Sequence, residues 1–215
     1  MLEPSSLEQL IFLPGAGGDA SLWQPVASGL SHRGPREFVT WPGFGGAPPD
    51  PAVTGLPDLA QRVLGRLTGP AILFAQSMGG IIALQVALSA RASIRALVLS
   101  VTSGGIDLTG LGVVDWRPQF ERNNPAAPRW FLDTRVDLTN EIPRILAPTL
   151  LLCGDADPLS PVSVGRRLNA LLPNSELVVI PGGTHDLVSE RADEVRPHIE
   201  RHLRRVQAEP PHQLS

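Results

Sequence analysis

Residues 75–80, AQSMGG, place a serine where it could act as a nucleophile on a tight turn. The segment follows a short apolar run and leads into a helical pattern, so Ser77 falls between a strand and a helix. Such a turn strains the backbone and requires small residues two positions to either side, where Ala75 and Gly79 stand. It would direct the amide of Met78 toward a developing oxyanion. The alternative interpretation is a serine that only caps the helix.

Three further loops follow apolar runs and could complete this chemistry. In residues 13–18, LPGAGG, the amide of Ala16 could serve as a second oxyanion donor. In residues 152–158, LCGDADP, Asp157 could reach the imidazole of His185, which lies in residues 182–186, GGTHD. Asp155 is the main rival as the acid, although its position favours bonding to local amides. Asp107 is a further candidate.

Short apolar runs alternate with amphipathic segments along the chain, which predicts parallel strands covered by helices on both faces. The predicted strands are 10–13, 38–41, 71–75, 96–101, 149–153 and 177–180. The predicted helices are 22–30, 56–67, 79–90, 162–172 and 191–206. Since the four loops follow strands of one parallel sheet, we expect them to meet at its carboxyl edge.

Residues 104–147 interrupt the alternation with a stretch that has no strand-like run. Its bulky residues, Trp116, Phe120, Trp130 and Phe131, could line a substrate pocket or form a small core of their own. Three arginines in the same stretch could meet a substrate carboxylate or phosphate, or could be solvated surface residues. They are Arg117, Arg122 and Arg129.

The motifs together resemble the α/β-hydrolase superfamily, in its compact serine esterase and lactonase branch. The similarity runs from about residue 9 to residue 202 and includes residues 41–46, WPGFGG, which resemble the loop after the second strand of that family. It implies the α/β-hydrolase fold, with a mostly parallel, doubly wound sheet of about six strands and a short cap insertion at 104–147. We expect one domain over 1–206 and a frayed tail at 207–215. The first strands of the full fold are expected to be missing.

The resemblance also implies the roles of the site residues. Ser77, Asp157 and His185 would form a catalytic triad, in the chain order that this fold uses, and Ala16 and Met78 would supply the oxyanion-hole amides. Two departures are Ala75, where glycine is usual, and Pro14, where many relatives have histidine. The implied reaction is hydrolysis of a small-molecule carboxylic ester or related acyl bond, without metal or organic cofactor. Thioesters, lactones and C–C bonds remain open.

Two other classes of function were weighed. A catalytically silent binding protein on the same fold usually loses a triad residue, whereas all three are present here. A dinucleotide-binding oxidoreductase would fit residues 15–20, GAGGDA, but that fingerprint needs an acid at the end of the second strand, where Trp41 stands. A serine nucleophile also disfavours the dehalogenases and epoxide hydrolases of the superfamily, which use aspartate.

Composition excludes several kinds of chemistry. All 18 basic residues are arginine, because the 215 residues contain no lysine, so Schiff-base chemistry is excluded. There is no tyrosine, and the single Cys153 excludes an intrachain disulfide and reads as a buried core residue. The net charge of −3 predicts no nucleic-acid binding. No membrane span or signal peptide is recognised, and we expect a cytoplasmic protein.

Four histidines besides His185 are expected to face solvent. They are His32, His198, His202 and His212. The spacing of His198 and His202 on a helix could hold a metal ion, but no further ligand is spaced to join them.

Overall fold

The computed structural model describes residues 7–208. Within this range six parallel strands form one sheet, in the order β2-β1-β3-β4-β5-β6. The strands are β1 (Gln9–Leu13), β2 (Arg36–Phe38), β3 (Ala71–Gln76), β4 (Ile94–Ser100), β5 (Thr149–Gly154) and β6 (Ser175–Ile180). The helices are α1 (Gln24–Ala27), α2 (Leu56–Leu64), α3 (Met78–Ser89), α4 (Arg117–Asn123), α5 (Arg129–Asp133), α6 (Val162–Leu171), α7 (Leu187–Glu190) and α8 (Ala192–Ala208). Two short 3-10 helices span Ala20–Trp23 and Ile142–Arg144.

The sheet separates two apolar cores, as its sequence predicts. In β1, Ile11 and Leu13 belong to the core on one face, whereas Leu10 and Phe12 belong to the core on the other. All four side chains are fully buried, because a strand covered on both faces sends successive side chains into opposite cores. The predicted α/β-hydrolase fold class is therefore confirmed, with the difference that all six strands are parallel.

The second strand was predicted at 38–41 but lies at Arg36–Phe38. Beyond Val39, whose amide donates to Phe12 O at 3.0 Å, the chain leaves the sheet and turns toward the loop after β1. There the amide of Trp41 donates to Gly18 O at 2.9 Å, and Thr40 forms an antiparallel bridge with Asp19. Val39 and Trp41 are buried in one of the two apolar cores, and local periodicity does not distinguish this burial from that of a strand.

The excursion between β4 and β5 contains the short helices α4 and α5 and lies over the carboxyl edge of the sheet. Phe131 is its buried centre and stacks on Trp116 with ring centroids 4.7 Å apart. The ring of Phe120 meets that of Phe131 edge-on, with ring centroids 5.2 Å apart. The excursion therefore has an aromatic core of its own.

The last helix, α8, ends two residues later than predicted. It was expected to end at Val206, with a frayed tail from 207, but α8 extends through Ala208. The rest of the predicted tail, 209–215, lies outside the described residues. Across residues 7–208, no helix combines the length and apolar character that crossing a membrane requires.

Candidate active site

The turn between β3 and α3 holds Ser77 in a strained backbone conformation. Its φ of 52° and ψ of −119° lie in a region that residues with a side chain rarely occupy. Two neighbours hold it there: Ser77 N donates to Ser100 O at 3.0 Å, and Thr102 Oγ1 donates to Ser77 O at 2.6 Å. A Cβ added at Gly79 would lie 2.5 Å from Pro14 O, so this turn packs too closely for a larger residue.

Ser77, His185 and Asp157 form a continuous chain of hydrogen bonds. The distance from His185 Nε2 to Ser77 Oγ is 2.9 Å, and that from His185 Nδ1 to Asp157 Oδ2 is 2.8 Å. The second carboxylate oxygen of Asp157 accepts a hydrogen bond from Leu159 N at 2.8 Å. The structure thus brings together three side chains from loops after β3, β5 and β6.

The carboxylate of Asp157 determines which groups donate and which accept in this series of hydrogen bonds. The side chain of Asp157 is fully buried, whereas that of His185 is 23% exposed. An ionised carboxylate only accepts hydrogen bonds, so the Nδ1–H of His185 donates to Asp157. In a neutral imidazole the Nε2 atom is then without a proton and can accept the hydroxyl proton of Ser77. A hydroxyl that donates to an unprotonated imidazole is arranged for proton removal.

The amides of Ala16 and Met78 adjoin the serine. Both residues line the same cavity as Ser77, and Met78 is the first residue of α3, where backbone N–H groups have no partner within the helix. Two tryptophans hold the loop that carries Ala16. Trp23 Nε1 donates to Leu13 O at 3.2 Å, and Trp41 Nε1 donates to Pro14 O at 2.9 Å.

Gln76 precedes Ser77 in the serine turn and contacts two of the other three loops, and sequence reasoning gave it no role. It is buried beside Ser77, and its Nε2 donates to His185 O at 3.1 Å. Its Oε1 lies so close to Gly15 that a Cβ there would come within 2.2 Å. Its place directly before the serine is a signal that could have drawn attention to it, although the contact with His185 spans 109 residues.

The two rival acids have other partners. Asp155 Oδ1 accepts a hydrogen bond from Gly182 N at 2.6 Å and so ties the loop after β5 to the loop after β6. Asp107 is exposed and accepts hydrogen bonds from Thr109, which hold the pKa of its carboxyl below the usual value. The structure therefore pairs His185 with Asp157.

A cavity of about 430 Å³ opens at Ser77 and His185. Of the four aromatic residues that the sequence singled out, Trp116, Phe120 and Phe131 line it. Trp130 is not part of its lining and instead meets Phe44 edge-on at 5.8 Å. The aromatic cluster thus has two faces, one packed as a core and one turned toward the cavity.

The expectation that the remaining histidines face solvent was wrong for two of them. His32 is buried, and its Nδ1 accepts from Gly34 N at 3.0 Å while its Nε2 lies 3.2 Å from Glu8 Oε2. His202 is buried between α8 and the sheet, and burial lowers its pKa to about 4. His212 lies outside the described residues.

Cys153 is buried in β5, as predicted, and its burial raises the pKa of the thiol to about 12. At that pKa the thiol is not a nucleophile at neutral pH. In residues 7–208, no three side chains of histidine, cysteine, aspartate or glutamate are grouped so that they could hold a metal ion.

A parallel α/β sheet that presents a serine on a strained strand-to-helix turn has the architecture of the α/β hydrolases. The model of the alpha/beta hydrolase family matches residues 10–137, and that of TAP-like proteins matches residues 124–213. Since the first match covers more than half of the chain, this protein belongs to the α/β-hydrolase family.

Individual relatives match over different lengths. A pimeloyl-[acyl-carrier protein] methyl ester esterase of Vibrio cholerae is 27% identical, over 83% of this chain and 87% of the relative. A candidate non-heme chloroperoxidase of Synechocystis sp. is 45% identical over 71 residues, which are 33% of this chain and 24% of that protein. The solved structure of a thermophilic esterase from Thermogutta terrifontis superposes with a TM-score of 0.75 at 24% identity, covering 93% of this chain and 90% of that chain.

Proposed function

We propose that this protein is a serine hydrolase that cleaves small-molecule carboxylic esters through an acyl-enzyme. Ser77 is the nucleophile, His185 the general base and Asp157 the acid that orients the imidazole. The observation that carries the proposal is the hydrogen-bond chain from Asp157 through His185 to Ser77, which ends at a cavity able to take a small ligand.

The reaction follows from this geometry in two halves. His185 Nε2 takes the proton of Ser77 as Oγ attacks the ester carbonyl, and the C–O bond to the alcohol breaks when the imidazolium returns that proton to the leaving oxygen. Water then attacks the acyl-enzyme by the reverse path, giving the free acid and restoring the serine. The amides of Ala16 and Met78 stabilise the negative oxygen of each tetrahedral intermediate, each by about 10²–10³ in rate.

Asp157 stabilises the imidazolium that forms in each half. Its fully buried carboxylate accepts the Nδ1–H of His185 and so fixes the tautomer that the mechanism requires. The names of the relatives favour the same reaction, because the Vibrio cholerae protein is a methyl ester esterase and the Thermogutta terrifontis protein an esterase. We therefore place esters ahead of thioesters, lactones and C–C bonds, which the same triad could cleave.

A fluorophosphonate probe tests the nucleophile. We expect labelling on Ser77, mapped by mass spectrometry, and loss of labelling and of p-nitrophenyl ester cleavage in Ser77→Ala. Ser103→Ala is the matched control, since Ser103 lines the same cavity but does not contact His185, and it should keep both. Labelling at another residue, or full ester cleavage by Ser77→Ala, would contradict the proposal. A protein that is neither labelled nor active would be a silent binding protein.

A further inference from the structure

The candidate site contains two carboxyl side chains but no arginine or lysine. The side chain of Asp157 is fully buried, and its hydrogen-bond partners are His185 and the Leu159 amide. Asp186 is exposed in the wall of the cavity and adds a second carboxylate. The residues that line the cavity include no arginine, and the chain has no lysine.

Two arginines of the excursion are engaged outside the cavity. Arg117 NH1 lies 3.2 Å from Asp115 Oδ1, and its guanidinium stacks over the ring of Trp116 at 5.0 Å. Arg129 pairs with Glu121 at 2.5 Å. Neither these two arginines nor Arg122 line the cavity. The possibility raised from the sequence, that they receive a substrate carboxylate or phosphate, therefore has no support in the cavity wall.

The ligand-facing wall of the cavity is mainly apolar. Its apolar members include Leu108, Val113 and the rings of Trp116, Phe120 and Phe131. Its polar members around α4 are the neutral amides of Gln119, Asn123 and Asn124, and the amide of Asn124 already donates to Phe120 O at 3.0 Å. A carboxylate that enters such a wall loses its water and gains no cation in return.

We propose that this site selects neutral esters with apolar acyl groups and rejects esters whose acyl chain ends in a carboxylate. The inference rests on the proposed function and specifies its substrate class. Each CH₂ added to a neutral acyl chain should raise kcat/KM about fourfold until the cavity is filled. A terminal carboxylate on a chain of the same length should lower kcat/KM on the order of 100-fold, because its desolvation is not compensated.

Three p-nitrophenyl esters with six-carbon acyl chains separate the effect of the acyl chain's charge from the effect of its size. They are the hexanoate, the adipate monoester with its free ω-carboxylate, and the same adipate with the ω-carboxyl capped as a methyl ester. We expect the free carboxylate to be cleaved on the order of 100-fold less efficiently than the capped ester. Equal cleavage of the free and capped adipates, dependent on Ser77, would overturn the inference and leave the proposed function intact. If none of the three were cleaved, the proposed function would fail as well.

A positive charge added to the cavity wall tests whether the missing cation is the reason that a carboxylate is rejected. Gln119→Arg places a cation at an exposed position that lines the cavity, so it should raise the ratio of kcat/KM for the free adipate to kcat/KM for the capped ester about tenfold. Ala126→Arg is the matched control, since Ala126 is exposed in the same excursion but does not line the cavity. An equal gain in both variants, or in neither, would overturn the argument from local charge.

Discussion

The buried histidine of α8 makes the free energy of unfolding depend on pH in a way that can be calculated. His202 is 2% exposed, and neither of its ring nitrogens forms a hydrogen bond of good geometry. Burial is the main cause that lowers its pKa from 6.5 to about 4, and the charge of Arg205 acts in the same direction. Glu176 opposes the shift. The folded protein therefore keeps this imidazole neutral at pH values where the unfolded chain protonates it.

The sign follows from proton linkage. Between pH 6.5 and 4 the unfolded state binds more protons at His202 than the folded state does, so stability falls as the pH is lowered through this window. The difference of the two pKa values sets a limit of about 3 kcal/mol for this one group. Between pH 7 and pH 5 the same two values give a loss of about 2 kcal/mol.

Urea unfolding of the wild type and of His202→Leu, measured from pH 7 to pH 5, tests this value. The wild type should lose about 2 kcal/mol more than the variant over this range. The remaining titratable groups are common to both proteins, so their contributions cancel in the difference. His198→Gln, a substitution at a partly exposed position of the same helix, should follow the wild type. Parallel curves for the wild type and His202→Leu would refute the reasoning, as would an NMR titration that places His202 near pH 6.5.

Two further predictions concern the candidate active site. Asp157→Asn should lower kcat by about 10⁴, because the amide can donate to His185 Nδ1 and so favour the wrong tautomer. Asp155→Asn should keep most of the activity, since the new side chain can still accept from Gly182 N; steady-state ester kinetics compare the two, and an equal loss would contradict the assignment of Asp157. Gln76→Leu should lower kcat about tenfold with little change in KM, because it removes one hydrogen bond that positions the loop of His185. An unchanged kcat, or a loss that appears only in KM, would show that Gln76 does not position this loop.

The loops of the candidate site could be predicted because each depends on local signals. An apolar run followed by a glycine-rich or acidic turn marks the end of a parallel strand, and such ends share one edge of the sheet. That rule predicts that the loops of Ser77, Asp157 and His185 lie at one edge, whereas the roles of the three residues were implied by the resemblance to the α/β hydrolases. The contact of Gln76 with His185 could not be predicted in this way, since nothing in the local pattern links residues so far apart in sequence.

The two histidine errors have different causes. His202 lies three residues after Ile199 and four before Val206, both buried, so the helical spacing of α8 already placed it on the apolar face. The polar ring of histidine favours the opposite prediction, an exposed position, and so conflicts with this spacing. His32 lies in a loop, where no periodicity exists, and its burial depends on contacts with Gly34 and with the distant Glu8.

The backbone and hydrogen bonds of Ser77 do not fit a serine that only caps a helix. A serine that only caps a helix has an extended backbone, and its hydroxyl accepts from an amide of the first turn. Ser77 has a φ of 52° and makes no such side-chain hydrogen bond, while its hydroxyl contacts His185 instead. The backbone directly after β4 is strained too, because Val101, a β-branched residue, has a φ of 45°.

Two strained residues on adjacent strand ends cost about 1–3 kcal/mol each, and a helix cap needs neither. The hydrogen bond between Ser77 N and Ser100 O joins the two strained segments, so the conformation of one depends on that of the other. Ala75, the departure from the usual glycine, is buried without altering this arrangement. At Gly79 a Cβ would lie 2.5 Å from Pro14 O, and at Gly15 it would meet the side chains of Gln76 and Ser77, so the first loop packs closely against the serine turn. Close packing of these two loops thus holds the serine hydroxyl beside His185, although no glycine stands two residues before the serine.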